Sequence, residues 1–391
     1  MLHVLYLVHD LCDPATSRRV AMLEAGGARV TLAGFRRRET LPDFGGITPL
    51  DLGMTGDRAF GQRLVAVGKA ALTLGAKLKG VARPDVIIGR NLEMLALANR
   101  ARAIFGADVP VVYECLDIHR LLLGQGGVSR AMRGAERFFG RNAALLMTSS
   151  PAFVRDYFEA YGQSGAPVML LQNKTLDLSG AALEAARPAS LPKDGEPWRI
   201  GWFGALRCAK SLKLLAAFTR AMEGRFEVVL RGRPAHVEFE NFDGFVRDEP
   251  YLRFEGAYRN PDDLPAIYGE VHFSWAIDFF EEGMNSNWLL PNRLYEGCRF
   301  GAVPIAMEGT ETARFLAERR LGLSLDEPKA ERLSALLGNM DAESYVALRD
   351  AVAAQDPGTW ICGPADCRRL VERLGRVAGG VYGESFAEVA A

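Results

Sequence analysis

The chain opens with the run Leu2-His3-Val4-Leu5-Tyr6-Leu7-Val8, apolar at nearly every position, which predicts a strand buried on both faces. Arg18 to Ala25 switches to helical spacing and stops at Gly26-Gly27, and Arg29 to Ala33 is apolar again, so the first unit reads strand, helix, strand. The alternation returns at Asp85 to Ile88, Val109 to Glu114, Ala144 to Ser149 and Val168 to Leu171 with helical stretches between, which predicts a parallel, doubly wound sheet. Residues 176–197 lose the period and are rich in Ala, Pro and Gly, as a linker is. A second series follows: a strand over Arg199 to Gly204, a helix over Ser211 to Met222, then strands at Phe226 to Leu230, Leu252 to Glu255, Val271 to Ala276 and Ala302 to Met307. The expectation is an α/β protein with two Rossmann-like domains, 1–175 and 198–391, joined by a linker over 176–197, the last helix being a candidate for returning to the first domain. No repeat of 20–50 residues interrupts this pattern.

Composition adds exclusions. With 49% hydrophobic and 24% charged residues the chain has the means to bury a core, and disorder is excluded as its main state. No apolar run reaches the roughly 18 residues needed to cross a bilayer, and the start lacks the basic and apolar segments of a signal peptide, so a cytoplasmic protein is expected. Six scattered cysteines without a CxxC pair read as reduced thiols, neither a zinc site nor a disulfide framework. The net charge of −1 conceals an asymmetry: residues 1–190 carry 23 Lys and Arg against 17 Asp and Glu, residues 191–391 carry 24 against 31. The basic first half favours an anionic surface, whereas nucleic acid is not expected, because no basic run is interleaved with stacking aromatics.

The motifs narrow the chemistry further. The dinucleotide fingerprint G-x-G-x-x-G is missing after the first strand, where the chain has His9-Asp10-Leu11-Cys12-Asp13-Pro14; no P-loop occurs, and no Asp-x-Asp offers ligands to a metal-bridged diphosphate. The first turn of the second series, Gly204-Ala205-Leu206-Arg207-Cys208-Ala209-Lys210-Ser211, does carry a signal. A strand ends in Gly, two bases follow three residues apart, and Ser211 is placed to cap the next helix, an arrangement suited to a diphosphate. Further on, Asn285 to Ala306 runs from a polar loop through a short helix with Glu296 to Gly301 and the strand Ala302-Val303-Pro304-Ile305-Ala306.

Together these two segments resemble the donor half of the GT-B glycosyltransferases, particularly the retaining family 4. Arg83 to Ile88, Val111 to Asp117, Thr148 to Phe153 and Leu170 to Asn173 resemble landmarks of the same family in their usual order. The resemblance implies two Rossmann-like domains around an interdomain cleft, and a donor site of Gly204, Arg207, Lys210, Asn287, Asn292 and Glu296, with the two bases on the diphosphate and Glu296 on the ribose hydroxyls. The chain departs from the family where the first Glu of its Glu-x7-Glu pair would stand, which is Trp288; Glu281 and Glu282 are the nearest carboxylates. It also has Leu116-Asp117 in place of the usual His-Asp, with His119 two residues on. Asp117 and His119 are the acceptor-side catalytic candidates; the alternative makes them a cap and a first-turn residue of the next helix.

One more segment stands out. Phe60 to Arg83 has bases at Arg63, Lys69, Lys77, Lys79 and Arg83 and no acidic residue, with Leu64, Val67, Ala71, Leu74, Leu78 and Val81 at 3,4 spacing, which predicts a helix with one packed stripe and a basic remainder able to meet acceptor or anionic lipid. Ser129 to Arg141 adds four arginines against Glu136. The resemblance implies transfer of a hexose from a UDP-linked donor to a glycan or polyprenyl-diphosphate-linked oligosaccharide in bacterial exopolysaccharide synthesis, with no metal and no cofactor. Retention of configuration follows from the resemblance alone. The rival readings are a sugar-nucleotide epimerase and a non-catalytic nucleotide-sugar scaffold.

Overall fold

The computed structural model describes residues 1–56, 60–179 and 188–380. The chain divides into two compact units, the first formed by Met1–Gln172, Leu176–Leu178 and the segment from Cys362, the second by Asn173–Thr175 and the segment from Ser179 to Ile361.

In the first unit the chain runs β1 (His3–Val8), α1 (Pro14–Ala25), β2 (Arg29–Arg36), β3 (Leu50–Met54), α2 (Phe60–Lys77), β4 (Val86–Arg90), α3 (Asn91–Phe105), β5 (Val111–Cys115), α4 (Arg120–Leu123), α5 (Gly127–Gly140), β6 (Ala143–Thr148) and β7 (Val168–Leu170). All pairings in this sheet are parallel, in the order β3-β2-β1-β4-β5-β6-β7. Every residue of β1, β4 and β5 is buried, which is why these strands read as largely apolar runs, with His3, Arg90 and Glu114 the polar positions. Asp13 starts α1 by accepting the Ala15 amide at 2.9 Å, with Pro14 ready at the first helical position.

A short strand β8 (Thr175–Leu176) leads into the second unit. There follow β9 (Trp198–Leu206), α6 (Ala209–Ala221), β10 (Phe226–Pro234), α7 (Phe242–Asp248), β11 (Leu252–Phe254), α8 (Leu264–Tyr268), β12 (Phe273–Trp275), α9 (Asn285–Trp288), α10 (Asn292–Arg299), β13 (Val303–Met307), α11 (Glu311–Arg319), β14 (Leu323–Leu325), α12 (Ala330–Leu337) and α13 (Ala342–Ala353). The second sheet is again parallel, ordered β11-β10-β9-β12-β13-β14. Strand β15 (Ile361–Cys362) pairs with β8, and α14 (Pro364–Ala378) closes the described chain. Helix α14 packs on α1 of the first unit with the stripe Cys367, Leu370, Val371, Leu374 and Val377; a Cβ on Gly26 would lie 2.2 Å from the Cys367 carbonyl oxygen, so only glycine permits the approach. Of the segment 176–197, residues 180–187 lie outside the described residues.

The strand order reverses between β1 and β4 in the first sheet and between β9 and β12 in the second. At such a switch point the loops leaving the carboxyl ends diverge and open a crevice, which is where ligands of this fold class bind. The residues beyond β9 and β12 therefore define one candidate site and those beyond β1, β4 and β5 the other.

Candidate functional site

In the second unit, β9 and β10 come close together at their carboxyl ends: Gly204 has φ 109 and Gly232 φ 134, and a Cβ on Gly232 would stand 1.8 Å from the Gly204 carbonyl oxygen. Two glycines thus let the strands run to the rim and release Arg207 and Lys210 just beyond it. The helix α6 begins earlier than the sequence pattern suggests. Cys208, not Ser211, is its cap, taking the Ser211 amide on Sγ at 3.3 Å; Ser211 is buried inside the first turn, where its hydroxyl accepts the Trp275 indole N–H at 3.2 Å. The expected cap at Ser211 is corrected accordingly, the reason being that Arg207-Cys208 already leaves the strand and Ala209 is free to turn.

Both bases are engaged from the segment after β12. Arg207 donates from Nη2 to Asp278 Oδ2 at 3.2 Å and lies over the Phe280 ring at 4.6 Å; Lys210 reaches both Glu282 oxygens at 2.7 and 2.6 Å and sits over Phe279 at 4.5 Å. Burial would push the Asp278 carboxyl up, but Arg293, Arg207 and the Phe280 amide outweigh it and hold the group below the usual carboxylate range. Arg293 belongs to the first turn of α10 and is fixed by its bond to the Ile277 carbonyl at 2.8 Å. Asp278 therefore ties the Arg207 turn to α10, a link that no local motif announces.

Glu296 is buried on α10, accepting from Asn260 Nδ2 at 2.8 Å and from the Tyr268 hydroxyl at 3.3 Å. Burial and the Glu296 charge raise the Tyr258 phenol above its ordinary range, and the Tyr258 hydroxyl oxygen would be 3.9 Å from a Cβ on Gly204, so Glu296 and the end of β9 share a neighbour. The carboxylate is thus held in one pose. Asn292 is exposed at the start of α10, which no side chain caps. Asn287 turns into its own loop, accepting the Gly283 amide at 2.8 Å. Of the two carboxylates nearest Trp288 in sequence, Glu282 pairs with Lys210, while the Glu281 backbone amide donates to the Ser286 hydroxyl.

In the first unit, Asp117 is exposed after β5, its carbonyl accepting the Cys115 thiol at 3.5 Å. His119 caps α4, taking the Leu121 amide on Nδ1 at 3.2 Å, while Nε2 lies 3.5 Å from Arg63 Nη2. The alternative that had Asp117 as the cap and His119 on the first turn is corrected: His119 is itself the cap, one residue ahead of the helix. Burial and the Arg63 charge lower its pKa, leaving a neutral imidazole. Behind it, at the end of β1, burial together with Arg90, Arg37 and Arg63 drives His9 down to about 3; its Nδ1 lies 3.3 Å from Asn91 Nδ2. Asn91 has φ 68, a left-handed backbone that costs an asparagine little but still marks a forced turn from β4 into α3.

Glu114, near the end of β5, belongs to no catalytic or binding motif of the sequence. It is fully buried, accepts from Arg19 Nε at 2.6 Å and from the Tyr6 hydroxyl at 2.5 Å, and feels Arg90, so it anchors the row of groups beneath His9. Its buried setting inside an apolar strand was the signal available, since a carboxylate is not placed there without partners.

The basic helix also differs from its predicted stripe. In α2 the buried positions are Ala70 and Leu74, with Leu78 buried just past its end, while Leu64 is 53% exposed, Val65 73% and Leu72 85%, next to exposed Lys69 and Lys77; the helix ends at Lys77, before Lys79 and Val81. The buried stripe is narrower because only the 70-74-78 row is fully covered by the rest of the unit. On α5, Arg133 is no surface base: it is buried and donates to the Leu122 and Gly124 carbonyls at 2.5 and 2.8 Å.

Comparison with known proteins decides the family. Residues 12–174 match the glycosyl transferase 4-like domain family. The chain is 58% identical over 376 residues, 96% of its length and 93% of the relative's, to a protein of Rhizobium meliloti (strain 1021) described as succinoglycan biosynthesis protein ExoL. This chain belongs to the glycosyltransferase 4-like family. Among solved structures, the glycosyltransferase resembles the apo form of the lipopolysaccharide outer core galactosyltransferase WaaB (TM-score 0.65, 14% identity, covering 97% of this chain and 99% of that one). It also resembles sucrose-phosphate synthase from Thermosynechococcus elongatus (TM-score 0.64, 14% identity, 98% and 95% covered). A third likeness is to Anabaena HepE in complex with UDP and glucose (TM-score 0.63, 13% identity, 95% and 99% covered). The glycosyltransferase therefore has the GT-B fold. Among its described residues no helix is long and apolar enough to cross a membrane.

Proposed function

We propose that this glycosyltransferase moves a hexose from a UDP-linked donor to a growing glycan, carried on a polyprenyl diphosphate, during bacterial exopolysaccharide assembly. The observation that carries the reading is the convergence, at the switch point of the second sheet, of Arg207 and Lys210 with α10 and its buried Glu296. Support for the nucleotide comes from the UDP bound by HepE, and for the product from the succinoglycan role stated for the Rhizobium relative.

In this mechanism the bond between the anomeric carbon and the diphosphate breaks with its electron pair leaving on the phosphate oxygen. Arg207 and Lys210 stabilise that developing charge, which is electrostatic work that strengthens as the bond lengthens. Glu296 binds the ribose hydroxyls and leaves proton transfer to others. On the acceptor side, Asp117 and neutral His119 hold the incoming hydroxyl, whose oxygen bonds the anomeric carbon while its proton passes to the departing diphosphate oxygen. The transfer keeps the anomeric configuration and proceeds without metal or cofactor. The protein works in the cytoplasm, against the inner face of the plasma membrane, where α2 with Arg63, Lys69, Lys77 and the following Lys79 meets anionic lipid.

The test is UDP binding by calorimetry. Charge-assisted contacts contribute about 1.5–3 kcal/mol each, so R207A/K210A should weaken UDP by more than tenfold while the far-UV spectrum and melting transition stay native. Unchanged affinity sinks the donor-site assignment.

A further inference from the structure

The segment Asp278-Phe279-Phe280-Glu281-Glu282 sends one carboxylate to each of the two donor-site bases, but it holds them in very different ways. Asp278 has a side chain 9% exposed; its Oδ1 accepts the Phe280 amide at 2.8 Å and its Oδ2 faces both Arg207 at 3.2 Å and Arg293 at 3.8 Å. Two guanidiniums share a single carboxylate, so the cluster keeps a net positive charge after pairing. Phe280 supports the flat face of Arg207. An arginine gripped on one edge and one face has lost most of its rotamer freedom, and its remaining N–H groups are fixed before any ligand arrives.

Glu282 contrasts in exposure and in pairing, although Lys210, like Arg207, rests on an aromatic ring, that of Phe279. The Glu282 side chain is 50% exposed and that of Lys210 is 42%, the pair is one to one and neutral, and Gly283 follows with φ 77. Exposed lysine–carboxylate pairs hold weakly, since water screens them and two long side chains must be kept in one pose. A diphosphate offers Lys210 more charge and more acceptor oxygens than Glu282 does.

Building on the donor-site reading above, we propose that Asp278 is a positioning residue that presets Arg207 for the donor diphosphate, and that Glu282 is a tethered anion which occupies Lys210 and yields it to that diphosphate. The two carboxylates then act on donor affinity with opposite signs. Glu282 keeps the empty site from trapping adventitious anions and sets how tightly the nucleotide product is held after transfer.

The experiment titrates UDP into the full chain by calorimetry at low salt. E282Q should bind UDP about two- to fivefold more tightly, the range expected from releasing one exposed ion pair, and should do so only while Lys210 is present: in a K210A background the added E282Q should change nothing. D278N should weaken UDP by at least tenfold, with D278E recovering part of the loss, and in turnover it should raise the donor KM more than it lowers kcat while the acceptor KM holds. Weaker or unchanged binding in E282Q overturns the competing role, and because that residue lies on the surface the result does not depend on D278N folding. Native donor KM in a folded D278N overturns the positioning role. If wild type fails to bind UDP, or R207A/K210A binds it as well as wild type, the donor-site reading itself falls; if those hold and E282Q shows no gain, only the present inference does.

Discussion

At the scale of single residues, Glu296 makes the sharpest prediction. Its carboxylate is buried and pinned by Asn260 and Tyr268. E296Q keeps the shape and one acceptor oxygen, so it should raise the donor KM more than it lowers kcat, whereas E296A also strands the Asn260 and Tyr268 donors and should impair both. A 2′,3′-dideoxy UDP-sugar should bind wild type poorly yet lose little further affinity for E296A; equal binding of the normal and dideoxy donors to wild type would reduce Glu296 to a packing residue. Glu296, Arg207 and Lys210 were legible as candidates because their signals are local: a base spacing after a strand Gly, a Glu in a short helix before a Gly-stopped strand. Asp278, Asn260 and Tyr268 were not. Each acts on a partner between 28 and 71 positions away, and nothing in their own neighbourhoods records it.

At the scale of elements, α2 shows a surface that periodicity predicted only in part. Its outward ridge carries Val65 and Leu72 where a helix facing only water would carry charges, flanked by lysines with no acidic residue from 60 to 83. Replacing Lys69, Lys77 and Lys79 together with Gln should reduce binding to anionic vesicles by about 1 kcal/mol per base, and 0.5 M salt should mimic the change. V65S/L72S should weaken the same binding in a manner salt does not mimic, because lost apolar burial is insensitive to screening. Vesicle sedimentation equal to wild type in both variants would leave α2 a packing helix. The stripe was misjudged at Leu64 since 3,4 spacing marks a row of apolar residues but not which of two neighbouring rows meets the next layer.

At the scale of the molecule, each unit buries titratable groups that make its stability depend on pH. His272 sits against β9, its Nδ1 taking the Arg199 amide and its Nε2 donating to the Ser190 carbonyl, both at 2.9 Å. Burial, with Arg199 adding, lowers its pKa to about 4. The unfolded chain takes up a proton near pH 6.5 that the folded state refuses until about 4, so this residue contributes stability above that window and loses it as pH falls through it, by about 3 kcal/mol in all. H272N, which keeps an acceptor for Arg199, should flatten the fall of melting temperature between pH 6.5 and 4 relative to wild type. An identical slope in the two proteins would show that His272 is protonated without penalty.

The sequence by itself marked most of the strands, though not β3, β8, β14 or β15, and the helices α1, α2, α6 and α10, because a strand covered on both faces is apolar at nearly every position and a helix stops where glycine frees its last carbonyls. Those rules act over a few residues, so β1, β4 and β5, the Gly26 stop and the bases after β9 could be read directly. What only the tertiary structure decided is which distant residues meet. The reversal of strand order sets β9 beside β12 and so delivers Asp278 and Glu282 to Arg207 and Lys210; the return of α14 to α1 places Cys367 over Gly26; and the crossing of α2 brings Arg63 to His119. Contacts of this kind carry no periodicity of their own. They follow from the packing of whole layers, in which the burial of one element fixes the position of another far along the chain.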